Sequence, residues 1–293
     1  MTATSSAPQP ARRAAVLGHP IAHSLSPTLH RAAYAALGMT GWRYDAVDVT
    51  EDQLEGFVAA LGPEWAGLSL TMPLKQTVLP LLDHIEPLAE VVGAVNTVLI
   101  QAGGGARPIL TGANTDVHGL VAALREGLAG AEAPGTTRTA AVLGAGATAA
   151  SALAALAQLG CTTPVVYVRS MGRIGSLMRS AHRMGVEPRY ALLTAAAAEI
   201  PRADLVVSTL PPRAADPIAA ELTAAGARAA GVLIDVAYDP RPTALSTAWA
   251  AAHGVVVQGE RMLLHQAGEQ VRLMTGHPAP LSVMDAALTA ELV

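Results

Sequence analysis

The chain has 293 residues, 51% of them hydrophobic and 14% charged, with a net charge of -4 and a single cysteine, Cys161. Those values describe a well-packed globular protein of two modest domains and exclude disorder, a collagen-like rod and a disulfide scaffold. The mild negative charge offers no field for a phosphate backbone, no apolar run reaches the roughly 18 residues of a membrane span, and a lone cysteine fits a reducing cytoplasmic setting, so neither nucleic acid nor membrane is an expected partner.

The opening MTATSSAPQPARR reads as a disordered tail over residues 1–12. Ala14 to Leu17 then predicts a buried strand ending in Gly18 and Pro20. In the polar loop that follows, Ser26 is placed to N-cap a helix with Pro27 at its first position, and Leu29, Ala32, Ala33 and Ala36 recur at helical spacing. Further strands are expected at Trp42 to Val47, Gly67 to Leu70 and Val95 to Ile100, with helices near 51–61 and 73–82, and Gly103-Gly104-Gly105 suggests a hairpin returning through Ile109. A helix from Asp116 to about Leu128 leads through a Gly, Pro and Thr bridge to a second unit. There, strands at Thr139 to Leu143, Val165 to Val168, Leu205 to Ser208, Val232 to Val236 and Val255 to Val257 alternate with helices, the pattern of a doubly wound parallel sheet. Met262 to Thr275 and Ser282 to Leu292 predict terminal helices. The fold class is α/β, with residues 1–115 as a substrate-binding domain, 116–258 as a Rossmann-type dinucleotide domain and 259–293 returning as helices to the first.

Lysine and arginine together number 19, yet Lys75 is the lone lysine, and Asn96 and Asn114 are the only asparagines. In a chain that otherwise avoids these residues, each exception marks a position worth chemical attention. Arginine cannot exchange its proton near neutral pH whereas lysine can, so Lys75 is a candidate acid–base group.

Gly144-x-Gly146-x-x-Ala149 lies between a buried strand and an alanine-rich helix, the setting of a dinucleotide fingerprint. The first glycine permits the turn, the second admits a pyrophosphate against the backbone at Ala147, and the small third residue lets helix pack on strand. The next strand ends in Val168-Arg169-Ser170, with Arg173 beyond, where an NAD site would carry an acidic residue. Two guanidinium groups and a hydroxyl suit a 2′-phosphate, so NADP(H) is the expected cofactor. The histidines and carboxylates show no ligand spacing, and no catalytic metal is expected.

Three segments concentrate the rare residues: Gly67-Leu68-Ser69-Leu70-Thr71-Met72-Pro73-Leu74-Lys75, Gly93-Ala94-Val95-Asn96-Thr97-Val98 and Gly112-Ala113-Asn114-Thr115-Asp116-Val117-His118-Gly119. With Ser24-Leu25-Ser26, Asp235-Val236-Ala237-Tyr238-Asp239-Pro240 and Met262-Leu263-Leu264-His265-Gln266, they closely resemble the shikimate dehydrogenase family in order and approximate spacing. The resemblance implies an active site in a cleft between two domains and reversible NADPH-dependent reduction of 3-dehydroshikimate to shikimate, in aromatic amino acid biosynthesis. Carried over by position, Lys75 and Asp116 would be the catalytic pair, Ser24 and Ser26 would bind the substrate carboxylate with Tyr238 assisting, and Thr71, Asn96 and Gln266 would hold ring oxygens. Thr209, Gly259 and Met262 would lie on the nicotinamide side. A site for a small polyhydroxy acid needs many neutral donors and acceptors, since unpaired ones discriminate against analogues. Three features depart from the family: Val168 replaces a frequent asparagine, Pro211-Pro212 stands in a loop that is often polar, and Glu260 and Arg261 occupy positions usually small or apolar. Quinate or aminoshikimate dehydrogenation in the same family, and a noncatalytic NADPH-binding sensor, are the alternatives. The assembly is expected to be a monomer or homodimer.

Overall fold

The computed structural model describes residues 11–104, 107–129 and 138–292. The tail expected over residues 1–12 lies outside them up to residue 10, and so do Gly105 and most of the bridge after the long helix. Arg12 is not part of a tail, since the first strand already begins there.

The elements in chain order are β1 (Arg12–Gly18), α1 (Ser26–Ala36), β2 (Trp42–Asp48), α2 (Glu51–Ala59), β3 (Trp65–Leu70), α3 (Leu74–Thr77), β4 (His84–Ile85), α4 (Pro87–Val92), β5 (Thr97–Gln101), β6 (Ile109–Ala113) and α5 (Asp116–Ala129). They continue with β7 (Ala140–Leu143), α6 (Ala147–Gln158), β8 (Val165–Val168), α7 (Gly175–Arg183), β9 (Arg189–Leu192), α8 (Ala196–Glu199) and β10 (Leu205–Ser208). The last are α9 (Asp216–Ala224), β11 (Val232–Asp235), α10 (Ala244–Ala251), β12 (Val255–Gln258), α11 (Gly259–Thr275) and α12 (Leu281–Glu291). No helix among the described residues is long and apolar enough to cross a membrane.

Contacts divide the chain into two compact units: Met1–Glu86, Val95–Ala113 and Ala267–Val293 form one, and Pro87–Ala94 with Asn114–Gln266 the other. Two segments therefore pack differently from the sequence reading. Residues 87–94 join the second unit because α4 is held there by hydrogen bonds, Ser180 Oγ donating to the Val92 carbonyl at 2.7 Å and Arg183 Nε to that of Val91 at 3.2 Å. Residues 259–266 join it because Gly259 is pressed onto the end of β11, where a Cβ would lie 2.5 Å from the Asp235 carbonyl oxygen.

In the first unit a six-stranded sheet runs β2-β1-β3-β5-β6-β4. β1 pairs parallel with β2 and β3, while β5 is antiparallel to both β3 and β6, with Gln101 opposite Ile109 across the expected hairpin. Strand β3 is buried along its whole length, and helix α1 packs against α12.

In the second unit all six strands are parallel, in the order β12-β11-β10-β7-β8-β9. Counted from β7 this is the 3-2-1-4-5-6 order of dinucleotide-binding sheets, whose ligand crevice opens at the carboxyl ends of the strands where the order reverses, here between β7 and β10. The strands are short apolar runs because both faces are covered. One face carries Leu153 and Leu156 of α6 against Val142, Val166 and Val207, and the other carries Trp249 and Leu245 of α10 against Leu143, Val206 and Leu233. Full burial of such side chains contributes about 2 kcal/mol apiece. The Trp249 indole donates to the Gly231 carbonyl at 3.0 Å, which satisfies its one polar atom.

Candidate active site

Each unit positions part of the set. In the first, Gly18 ends β1, and a Cβ there would lie 2.3 Å from Thr71 Cγ2, so only glycine lets the Thr71 turn cross the strand end. Thr71 N–H donates to the Leu17 carbonyl at 2.9 Å, and the Lys75 carbonyl accepts from Val95 N–H at 2.8 Å. The helix expected over 73–82 is broken into α3 and one tighter turn at Leu79–Leu81, which contains Pro80. The half-buried Lys75 thus rises from a four-residue helix whose backbone is tied to the segment carrying Asn96. Asn96 is 1% exposed; it precedes β5 rather than lying in it, its carbonyl accepts from Leu70 N–H at 2.8 Å, and its N–H donates to Ala113 O at 3.2 Å.

Ser26 does not cap α1. It is the first helical residue, Leu25 holds the cap position without a side-chain bond, and Ser24 Oγ accepts from Ser26 N–H at 3.4 Å. The helix therefore starts one residue earlier than the sequence suggests, with Ser24 in the loop after β1 and Ser26 in the first turn of α1.

In the second unit Asp116 opens α5 and is 3% exposed. Asn114 tethers that helix start: its Oδ1 accepts from Val117 N–H at 3.2 Å, and its Nδ2 donates to Ala94 O at 2.9 Å and to Ser151 Oγ at 3.1 Å. Gln266 is held beside the same turn, its Oε1 accepting from Thr115 Oγ1 at 3.4 Å and its Nε2 donating to Leu263 O at 3.2 Å. Tyr238 follows β11, half-buried; burial and then the neighbouring Asp239 push its phenol up, so it remains a neutral donor at physiological pH.

The glycine turn has the geometry a pyrophosphate requires. Gly144 sits at φ +115° with Thr209 Oγ1 2.5 Å from where a Cβ would be, and Thr209 is held there by donating from Oγ1 to Leu143 O at 2.9 Å. Gly146 starts α6 with no side-chain cap, and nothing lies within 4 Å of its missing Cβ. The N–H groups that begin α6 at Ala147 have no side-chain cap and suit an anion. At the end of β8, Arg169, Ser170 and Arg173 are exposed, and neither arginine forms an ion pair among the described residues. The chain's residues therefore fit a dinucleotide carrying a 2′-phosphate. Met262, buried at 7% in the core of this unit, faces Gly119 with its carbonyl 2.7 Å from that glycine's missing Cβ.

The two unusual residues before Met262 are both ion-paired. Glu260 Oε1 accepts from Arg241 Nε at 2.5 Å, and Arg261 binds Glu126 with two bonds of 2.8 Å. His265 Nε2 is 2.7 Å from the same carboxylate.

Sequence reading missed a buried chain of polar groups in the first unit. Tyr44 OH donates to Ser69 Oγ at 2.6 Å, Ser69 Oγ to Gln270 Oε1 at 2.9 Å, Gln270 Nε2 to Thr97 Oγ1 at 3.0 Å and to Asn96 O at 3.2 Å, and Thr97 Oγ1 to Asn96 Oδ1 at 3.0 Å. The one available signal was Ser69, a polar residue in the middle of an apolar strand.

Fold and site together define a dinucleotide-binding α/β protein with a second α/β unit rich in neutral hydrogen-bonding groups. Residues 16–98 match the model of the shikimate dehydrogenase substrate binding domain, and residues 259–289 that of the shikimate 5'-dehydrogenase C-terminal domain. A shikimate dehydrogenase (NADP(+)) of Rubrobacter xylanophilus is 36% identical over 94% of this chain and 95% of its own. Among solved structures, the Mycobacterium tuberculosis shikimate dehydrogenase superposes with a TM-score of 0.81 at 40% identity, covering 96% of this chain and 99% of that one. A Thermus thermophilus shikimate 5-dehydrogenase in complex with NADP(H) and shikimate does so at 0.78 and 32%, covering 96% and 100%. The chain belongs to the shikimate dehydrogenase family.

Proposed function

We propose that this protein is an NADP-dependent oxidoreductase that interconverts 3-dehydroshikimate and shikimate. The observation that carries the reading is that Thr71 and Lys75 follow β3 on a turn whose backbone is hydrogen-bonded to the segment carrying Asn96, in a chain related along its length to shikimate dehydrogenases. When bound, NADPH would supply the hydride to the ketone carbon, and NADP would accept it from the alcohol carbon in the reverse direction. Lys75 Nζ gives a proton to the developing alkoxide in reduction and takes it back in oxidation. Asp116 accepts from a neighbouring ring hydroxyl. Ser24 and Ser26 donate to the substrate carboxylate with Tyr238 assisting, and Thr71, Asn96 and Gln266 bind ring oxygens, so an analogue lacking one hydroxyl leaves a polar group unpaired. Arg169, Ser170 and Arg173 hold the 2′-phosphate, the N–H groups at Gly144, Gly146 and Ala147 the pyrophosphate, and Thr209, Gly259 and Met262 border the nicotinamide.

The test is turnover of shikimate or quinate, each with NADP or NAD, followed by absorbance of the reduced cofactor. Shikimate with NADP is expected to be the best pair. Lys75→Ala should lower kcat by about 10²- to 10⁴-fold with a much smaller change in KM. Replacing both Arg169 and Arg173 by Ala should cut kcat/KM for NADP by about 100-fold and leave NAD nearly unchanged. Quinate with NAD as the best pair would refute the specificity, and silence in all four pairs would favour a cofactor-binding sensor.

A further inference from the structure

Glu260 is a carboxylate in a place that an apolar side chain would fill. It is 4% exposed in the first turn of α11, its Oε1 accepts from Arg241 Nε at 2.5 Å, and its Oε2 is buried with no hydrogen-bond partner among the described residues. A buried carboxylate with one oxygen unpaired is less stable there than a leucine of similar size, so packing does not account for it. What the pair holds is the segment between β11 and α10. The start of that segment is anchored: Val236 N–H donates to the Ser208 carbonyl at 3.0 Å, and Gly259, the first residue of α11, is pressed against the Val236 carbonyl, whose oxygen lies 2.7 Å from where a Cβ would be. Its end is anchored at Thr243, which caps α10 by accepting from Ser246 N–H at 3.1 Å. Tyr238 lies between those anchors, in Tyr238-Asp239-Pro240-Arg241-Pro242. Each proline ring locks its own φ, which stiffens the stretch on either side of Arg241. Fixing the Arg241 side chain on α11 therefore also restricts Tyr238, three residues before it.

We propose that Glu260, acting through Arg241, is a positioning residue that holds the segment carrying Tyr238 so that its hydroxyl is placed to donate to the substrate carboxylate. The inference rests on the reading of Tyr238 as a substrate-binding residue. Without the pair the segment has more conformations open to it, and substrate has to select the productive one. The pair can be broken without leaving a charge buried: the Glu260 side chain is 6% exposed and that of Arg241 44%, so removing the carboxylate leaves a guanidinium that water reaches.

The experiment is a double-mutant cycle read in shikimate KM, shikimate Kd by calorimetry, kcat and melting temperature. Glu260→Leu is expected to raise shikimate KM and Kd about fivefold, with kcat and the KM for NADP changed by less than about twofold and the melting temperature not lowered. Arg241→Lys keeps a charged donor for Oε1 and should stay within about twofold of the unmodified protein in every readout. In a Tyr238→Phe background, Glu260→Leu should have no further effect on shikimate KM. Equal effects in both backgrounds, an equal rise in the KM for NADP, or a lowered melting temperature with unchanged shikimate KM would overturn the inference and leave the pair a structural tie. If Tyr238→Phe alone left shikimate KM unchanged, the assignment of Tyr238 to substrate would fall first, and the inference with it. If Glu260→Leu does not fold, Arg241→Gln at the exposed end of the pair carries the test: a rise in shikimate KM of about fivefold supports the inference, and an unchanged KM overturns it.

Discussion

His30 makes the stability of the first unit depend on pH in a way that can be worked through. It is 0% exposed on α1, its ring stacked on Tyr44 with centroids 3.8 Å apart; Nδ1 is bonded to the Ser26 carbonyl at 2.9 Å, and Nε2 has no hydrogen-bond partner among the described residues. A second proton on Nε2 would be buried unpaired. Burial therefore depresses the imidazole pKa from 6.5 to about 4, with the Ser26 bond opposing weakly. Between those values the unfolded chain binds a proton that the folded one refuses, so stability rises with pH across this window and is lost as pH falls through it. Two and a half pKa units correspond to about 3 kcal/mol, and about 2 kcal/mol of that is already gone at pH 5. His30→Phe preserves the stacked ring, loses the bond to Ser26 at a cost of about 1 kcal/mol, and cannot titrate. The variant should be the less stable at pH 7 and the more stable at pH 4.5, the two curves crossing near pH 6. Urea titrations followed by tryptophan fluorescence measure the difference, from which all shared titrations cancel. A difference that stays constant from pH 7 to pH 4 would refute the argument.

Two glycines two residues apart should respond oppositely. Gly144→Ala forces a Cβ onto a left-handed backbone and against Thr209, so the protein alone should lose about 3 kcal/mol, seen as a lower melting temperature in calorimetry. Gly146→Ala has room for its methyl in the absence of ligand, so melting should shift little while NADP affinity falls at least tenfold; an unchanged Kd would count against a pyrophosphate at this turn. Glu126 is held at about 2, well below its usual 4.5, chiefly by the hydrogen bonds of Arg261, against burial and with help from His265. Its folded pKa lies below the unfolded one, so the pairing stabilises fully above about pH 5 and fades as pH drops toward 2. Solvent screening at this half-exposed group limits the effect to about 1 kcal/mol, and Glu126→Gln should cost that at pH 7 and less at pH 3.5 in the same urea assay.

The elements most legible in the sequence were those specified by local pattern. The apolar run of β7, the glycine turn and α6 announce themselves because a parallel strand covered on both faces must be continuously apolar and a pyrophosphate turn must be small. The arginines after β8 were legible because charge chemistry selects them whatever the surrounding fold. By contrast, β9 has no strand-like alternation, being an edge strand with an exposed arginine at its start, and the two-residue β4 is too short to leave a pattern. Ser26 carried a sequence signal for a cap, yet the helix begins one residue earlier, a choice made by how the loop packs and not by the residue's propensity.

Sequence by itself determined the α/β class, the longer strands and helices, the dinucleotide turn and the family, because each of these is written in contiguous residues whose periodicity or chemistry needs no partner. Only the tertiary structure decided that α4 and the first two turns of α11 pack with the dinucleotide sheet, that Glu260 and Arg261 have counter-ions in Arg241 and Glu126, and that buried hydrogen bonds link Tyr44, Ser69, Gln270, Thr97 and Asn96. Those facts depend on residues 19 to 201 positions apart meeting in a buried space. A hydrogen bond's donor and acceptor are chosen there by which groups the fold brings within 3 Å, and no local pattern encodes that choice.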